Sequence, residues 1–144
     1  MKEQSYADHA RLDPGYHFLL SPVLLLTCIG SLVNLWKSLG DHQRLYSASL
    51  IAVLAFCALF IAGYARIYAL KAQDRAIRAE ENLRHFVLAG KLLDPRLSVK
   101  QIVALRFASD GEFVELARRA AEENMAPDAI KRAIRQWRPD HYRV

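Results

Sequence analysis

The chain has 144 residues, room for one membrane unit and a small soluble domain but not for several large domains. Hydrophobic residues make up 53% and charged ones 24%, and the mean hydropathy of +0.02 averages two unlike halves. The net charge of +5 arises in the second half, where residues 66–144 hold 16 Lys or Arg against 11 Asp or Glu while residues 1–65 balance four against four. A basic excess that begins where an apolar run ends reads as topogenic and solvating, and argues against nucleic-acid binding.

Residues 1–17 are a polar N-terminal segment with Lys2, Glu3, Asp8, Arg11 and Asp13. Asp13-Pro14-Gly15 is a turn signal that breaks the chain before the apolar run. Three acids and no small-residue cleavage pattern predict that no signal peptide is removed. Residues 18–36 form the first predicted span, with eleven Leu, Ile, Val or Phe and no charge. At about −0.3 to −0.6 kcal/mol each, these sum to roughly −3 to −6 kcal/mol for insertion. Ser21, Thr27, Ser31 and Asn34 oppose that sum without reversing it.

The link, residues 37–44, contains Gly40-Asp41 and is short enough to force an antiparallel hairpin. The second span, residues 45–65, is also uncharged. The same helix is predicted to continue through a charge-dense extension, residues 66–89, to a glycine stop at Gly90. Tyr16, Trp36, Tyr46, Tyr64 and Tyr68 sit near the span boundaries, as interfacial aromatics do. Cys28 and Cys57 lie inside the apolar runs, where thiols behave as small hydrophobes, and no bridge between them is expected.

The long helix carries a repeat. Ala48, Ile51, Ala55, Ala58, Ala62, Ala65, Ala69, Ala72, Ala76, Ala79, Leu83 and Phe86 follow at alternating spacings of three and four. That 3.5-residue period is the signature of a left-handed helix-packing seam, here running from lipid into water. Small residues on such a seam let helix backbones approach closely. Arg66, Lys71, Arg75, Arg78 and Arg84 follow the second span, against Lys37 and Arg44 in the link. The positive-inside rule then puts both termini in the cytoplasm, with the five basic residues topogenic and facing lipid.

Residues 90–144 read as a small helical cytosolic domain. Asp94-Pro95 breaks the chain, Ser98-x-x-Gln101 is a capping box opening a helix through Phe107, and Ser109-x-x-Glu112 is a second box opening a helix through Asn124. Pro127 starts a last helix ending near Trp137. Val99, Ile102, Val103, Leu105, Phe107, Phe113, Val114, Leu116, Ile130, Ile134 and Trp137 are the expected core. The fold class is all-α: a two-span transmembrane hairpin, its second helix extended into the cytosol, then a small bundle of short helices.

Tyr6-Ala7-Asp8-His9-Ala10-Arg11, Gly15-Tyr16-His17-Phe18 and Leu105-Arg106-Phe107-Ala108-Ser109-Asp110 resemble the recurrent blocks of a bacterial family of small two-span membrane proteins, of the domain-of-unknown-function type. The resemblance spans nearly the whole chain. It implies a bacterial inner-membrane location and carries no activity, cofactor or site residue with it.

Catalytic chemistry finds little purchase. No Ser, Cys or Thr has a visible base partner, no catalytic motif appears, and the glycines are too dispersed for a phosphate loop. His9 and His17, flanking Asp8 and Asp13, admit a juxtamembrane metal or proton site but read better as interfacial polar residues. No cofactor or metal is expected. Neither span holds an ionisable residue of the kind conduction usually leaves behind. Asn34, Thr27 and Ser31 would line a pore or bond between helices. Lys131, Arg132, Arg135 and Arg138 are interleaved with Glu112, Glu115, Glu122, Glu123 and Asp128, which face phosphate with the wrong sign. The expectation is a non-catalytic, self-associating scaffold, adaptor or regulator. A homo-oligomeric channel or small transport subunit is the alternative, and a membrane-tethered nucleic-acid binder a weaker one. Expected partners are membrane lipid, further copies of the chain and a protein met through the cytosolic helices.

Overall fold

A computed structural model describes Tyr6 and residues 12–140. Among them the regular structure is all-helical: α1 (Ser21–Lys37), α2 (His42–Ala89), α3 (Val99–Leu105), α4 (Asp110–Glu122) and α5 (Pro127–Ala133). The contacts within the chain divide it into two units, one of residues Leu12–Ala69 and one running from Leu70 onward and including Tyr6. We call them the hairpin and the helical domain.

The hairpin opens with a π-helical turn, Gly15–Leu20, that runs straight into α1. Pro22 explains the wide turn. It has no N–H to give, and its ring crowds the carbonyl four residues back, so the ladder upstream loosens. The Ser21 N–H and hydroxyl both donate to the Tyr16 carbonyl, the hydroxyl at 2.7 Å. Asp13 does more than turn the chain: its carboxylate accepts the Tyr16 N–H at 2.8 Å. At the far end Asp41 caps α2 by accepting the N–H groups of Gln43 and Arg44. Both helices reach further than the sequence suggests, so the link shrinks to residues 38–41.

The less exposed positions of α1 are Ser21, Leu24, Cys28, Ser31 and Leu35; those of α2 in this unit include Leu45, Ala48, Ala52, Ala55, Leu59 and Ala62. Both sets alternate by three and four, as two helices packed along a shallow left-handed seam require. The pair is antiparallel, because the Tyr16 hydroxyl at the start of one helix donates to the Ala62 carbonyl late in the other at 3.2 Å. The interior is small-residue: Cys28, Ser31, Ala48, Ala52 and Ala55 are buried.

The helical domain is built around Phe107, Phe113, Leu105 and Ile130, the largest fully buried side chains. α2 ends at Gly90, whose φ of 70° is the left-handed conformation that glycine adopts without strain. The loop that follows is stapled back onto α2: Asn82 accepts the Leu93 N–H, and the His85 Nδ1–H donates to the Lys91 carbonyl at 2.6 Å. That places Leu93 and Leu97 in the core with Ile102, Leu116 and Ile134. Of the expected core, Val99, Val103, Val114 and Trp137 are only half-buried; Ala104, Ala108, Ala117 and Ala120 take interior positions instead, letting the short helices approach closely.

Two local expectations are corrected. The Ser98–Gln101 capping box forms, with the Gln101 Nε2 also donating to the Met125 carbonyl at 2.9 Å. The Ser109–Glu112 box does not, for Ser109 makes no side-chain cap bond. Its backbone N–H donates to the Gln136 carbonyl, and the Glu112 carboxylate accepts the N–H groups of Arg135 and Gln136 at 3.1 and 3.0 Å. The same bonds explain why α5 stops at Ala133 rather than near Trp137. Ile134 turns extended, at φ −68° and ψ 124°, and Trp137 pairs with Ala108 in an isolated antiparallel bridge. A long-range acceptor for those N–H groups outcompetes another turn of helix.

Candidate functional site

Within the helical domain, α2 meets the rest through Ile77, Glu81, Arg84 and His85. Ile77, Glu81 and His85 are buried at 5–6% exposure. The Arg84 side chain is 11% and the Glu81 side chain 6% exposed, and the two pair at 2.9 Å. Arg84 is fully engaged: Nε donates to the Asp110 carboxylate at 2.7 Å, Nη2 donates to the Ala108 carbonyl at 2.7 Å, and the guanidinium lies 4.2 Å from the centre of the Phe113 ring. Arg138 reaches the other Glu81 oxygen at 3.6 Å. His85 meets the same Phe113 edge-on at 5.9 Å. A planar, permanently charged fork suits such a buried junction, because every N–H can be given an acceptor. The chemistry is that of attachment: a charge network fixing one face of α2 to α4 and the segment before it.

Arg84 is among the basic residues expected from the sequence to face lipid. It is held inside instead, because Glu81, Asp110 and the Ala108 carbonyl together satisfy it there. Lys71, Arg75 and Arg78 are exposed, and Arg66 lies half-buried with its guanidinium 5.6 Å from the Tyr16 ring. The signal that would have found the junction is the Glu81–Arg84 pair at i,i+3, one helical turn beyond Ile77.

The alanine repeat divides. Ala48 and Ala55 are buried, Ala58, Ala62 and Ala69 half-buried, and Ala65, Ala72, Ala76, Ala79, Leu83 and Phe86 exposed. A 3.5-residue repeat drifts about 20° per heptad around a straight helix, so over five heptads it migrates about 100° and cannot stay on one face. Among the polar positions of α1, Ser31 is buried and its hydroxyl donates to the Cys28 carbonyl at 2.7 Å. Thr27 is exposed and bonds back to the Val23 carbonyl at 2.8 Å, and the Asn34 side chain is exposed. His9 lies outside the described residues. The His17 ring nitrogen donates within its own turn to the Asp13 carbonyl at 3.0 Å. Cys28 and Cys57 are free thiols.

Outside the hairpin interior, the apolar surface is uncovered. Both Gly15–Lys37 and His42–Ala89 contain stretches long and apolar enough to cross a membrane, and only 11% and 17% of those stretches are buried within the protein. Phe18, Leu26, Leu54, Phe60 and Ile61 are all more than 60% exposed. Trp36 and Tyr46 are exposed at the link end, and Tyr64 stacks on Tyr68 at the other. Tyr46 and Tyr64 are separated by about 27 Å along the helix, close to a hydrocarbon thickness.

DUF6526, a family of unknown function, matches residues 1–144. The chain belongs to this family. The DUF6526 match takes in both the hairpin and the helical domain. No curated protein and no solved structure matches the chain.

Proposed function

We propose that this protein is a non-catalytic integral protein of the bacterial inner membrane, whose hairpin anchors and whose helical domain is displayed in the cytoplasm as a self-associating scaffold or adaptor. The observation that carries the proposal is the uncovered apolar surface of the hairpin, on which large side chains point outward around a small-residue interior. A soluble core helix hides such residues; a helix in hydrocarbon shows them to lipid. The absence of charge across both apolar stretches supports the same reading.

Topology is supported from two directions. Basic residues outnumber those of the link just past the second span, which favours the cytoplasm for that end. Tyr6, before the first span, donates its hydroxyl to the Asp128 carboxylate at 2.5 Å, and the Arg132 guanidinium lies 5.4 Å from its ring. A residue before the hairpin and one after it that touch must lie on the same side of a bilayer. The hydrogen bond to Tyr6, with the charge of Asp128, raises the Arg132 pKa above its ordinary value.

The test is extraction and labelling. The protein should stay with membranes at alkaline pH, and release as a soluble species would overturn the reading. With Cys28 and Cys57 replaced by alanine, Gly40→Cys should react with an impermeant maleimide in intact spheroplasts, and Asp128→Cys only after lysis. The reverse pattern would overturn the orientation.

A further inference from the structure

Residues two apart on a helix point about 200° apart. Within the helical domain this gives α2 two opposed faces. One, with Ile77, Glu81 and Arg84, is taken by the domain's own core and charge network. The other carries Ala72, Ala76, Ala79, Leu83 and Phe86, all exposed, with Leu83 64%, Phe86 52% and the neighbouring Val87 74% exposed.

The exposed face has the grammar of a dimer seam. Ala69, Ala76 and Leu83 occupy a positions; Ala72, Ala79 and Phe86 occupy d positions. Ile77, Arg84 and Glu81 then fall at b and f, where a two-helix seam leaves side chains outside and free to serve another contact. Beside the seam stand Arg75 at g and Glu80 at e. Both are exposed, and neither is in an ion pair among the described residues.

We infer that this face of α2 docks a second copy of the chain, parallel and in register. In that arrangement a g residue meets the e residue five positions on in the other helix, so Arg75 of each copy faces Glu80 of the other, twice by symmetry. An antiparallel pair sets g against g and e against e, opposing like charges. Insertion of both copies in one orientation imposes the parallel arrangement that the charges select. Leu83, Phe86 and Val87 provide most of the apolar area that the seam hides, and the alanines let the helices approach. The inference rests on the self-association proposed above and specifies the surface, the direction and the register.

The experiment uses the full chain in lipid nanodiscs and in detergent with lipid retained. With the native cysteines replaced by alanine, Ala79→Cys and Phe86→Cys should each form an intermolecular disulfide on mild oxidation, since d positions face one another and a bridge needs Cα atoms roughly 4.4–6.8 Å apart. Arg78→Cys, at an outward c position, should not. Arg75→Glu and Glu80→Arg should each weaken dimerisation about tenfold, and the double reversal should restore it. Native mass spectrometry separates the two levels of failure. A monomer would overturn self-association itself, and protection of Phe86→Cys by vesicles in that monomer would assign the face to lipid. An oligomer lacking both cross-links, or indifferent to the charge reversals, would overturn this surface and leave self-association standing.

Discussion

The hairpin and the helical domain handle large apolar side chains in opposite ways. In the hairpin Phe18, Leu26, Leu54 and Phe60 point outward and the interior is Cys28, Ser31, Ala48, Ala52 and Ala55. In the helical domain Phe107, Phe113, Leu105 and Ile130 are fully buried, and the large apolar residues exposed after Ala69 all lie on α2 or the loop that follows it. On the membrane reading proposed above, two neighbouring stretches of one chain obey two solvents. Where water is the solvent, area removed from it stabilises and large residues go in. Where the solvent is as apolar as leucine, burial gains little and close approach through small residues decides packing. The helical domain also does what the hairpin avoids, since it encloses Glu81 and Arg84.

The largest effect should come from breaking that enclosed pair. Arg84→Ala leaves buried Glu81 only the longer 3.6 Å contact with Arg138 and takes a donor from Ala108 and Asp110, and should destabilise the helical domain by about 3 kcal/mol. Replacing both together, Glu81→Gln with Arg84→Met, should lose much less, because no buried charge is then uncompensated. Denaturant unfolding of the full chain, followed by Trp137 fluorescence, reads both. Equal losses would mean that the junction holds by shape rather than by charge.

Next in size is a substitution pair that sharpens the contrast between solvents. Ala52→Leu thickens the hairpin interior and should cost about 1–3 kcal/mol through overpacking. Leu26→Ala removes a larger side chain from the exposed face, 67% exposed, and should change stability by less than about 0.5 kcal/mol in detergent or lipid. Thermal unfolding in both media checks this. If Leu26→Ala proves the more damaging, another part of the protein covers that face and the hairpin does not follow the apolar-solvent rule.

The order of elements was legible in the sequence because each boundary has local chemistry: Asp13-Pro14-Gly15 before the first apolar run, Gly40-Asp41 in the link, Gly90 at a stop, the Ser98–Gln101 box, Pro127. The two long apolar helices were legible because charge is absent from their apolar stretches. The attachment of the domain to α2 was hidden, since three of its four residues are polar and leave no trace in hydrophobic periodicity. The alanine repeat was conspicuous, yet a 3.5-residue period on a 3.6-residue helix must change faces, so the repeat split between hairpin interior and open surface. Glu112 looked like a local cap, because spacing cannot distinguish a carboxylate reaching back three residues from one holding a backbone 23 residues away.

The smallest effect concerns acid, and it falls on one side of the comparison only. The apolar stretches of the hairpin contain no carboxylate, whereas the helical domain has Asp94 in a fork with Arg96, Nε to Oδ1 at 3.0 Å and Nη2 to Oδ2 at 2.7 Å. The side-chain hydrogen bond from Arg96, reinforced by its backbone N–H, lowers the Asp94 pKa from 3.8 to about 2. A carboxyl more acidic in the folded than the unfolded chain contributes its stabilisation fully above pH 3.8, and that contribution disappears as the pH falls to 2. The pair is at the surface and open to water, so salt should weaken it. A titration of the Asp94 carboxyl by carbon NMR should therefore give a midpoint near 2 at low salt, moving toward 3.8 as salt is added. In Asp94→Asn the pH dependence of domain unfolding between 4 and 2 should flatten, while the response of the hairpin stays as it was. A midpoint already at the ordinary carboxylate value would show the Arg96 fork to be open in solution, and the turn at Pro95 would then owe its shape to Leu93 and Leu97 in the core.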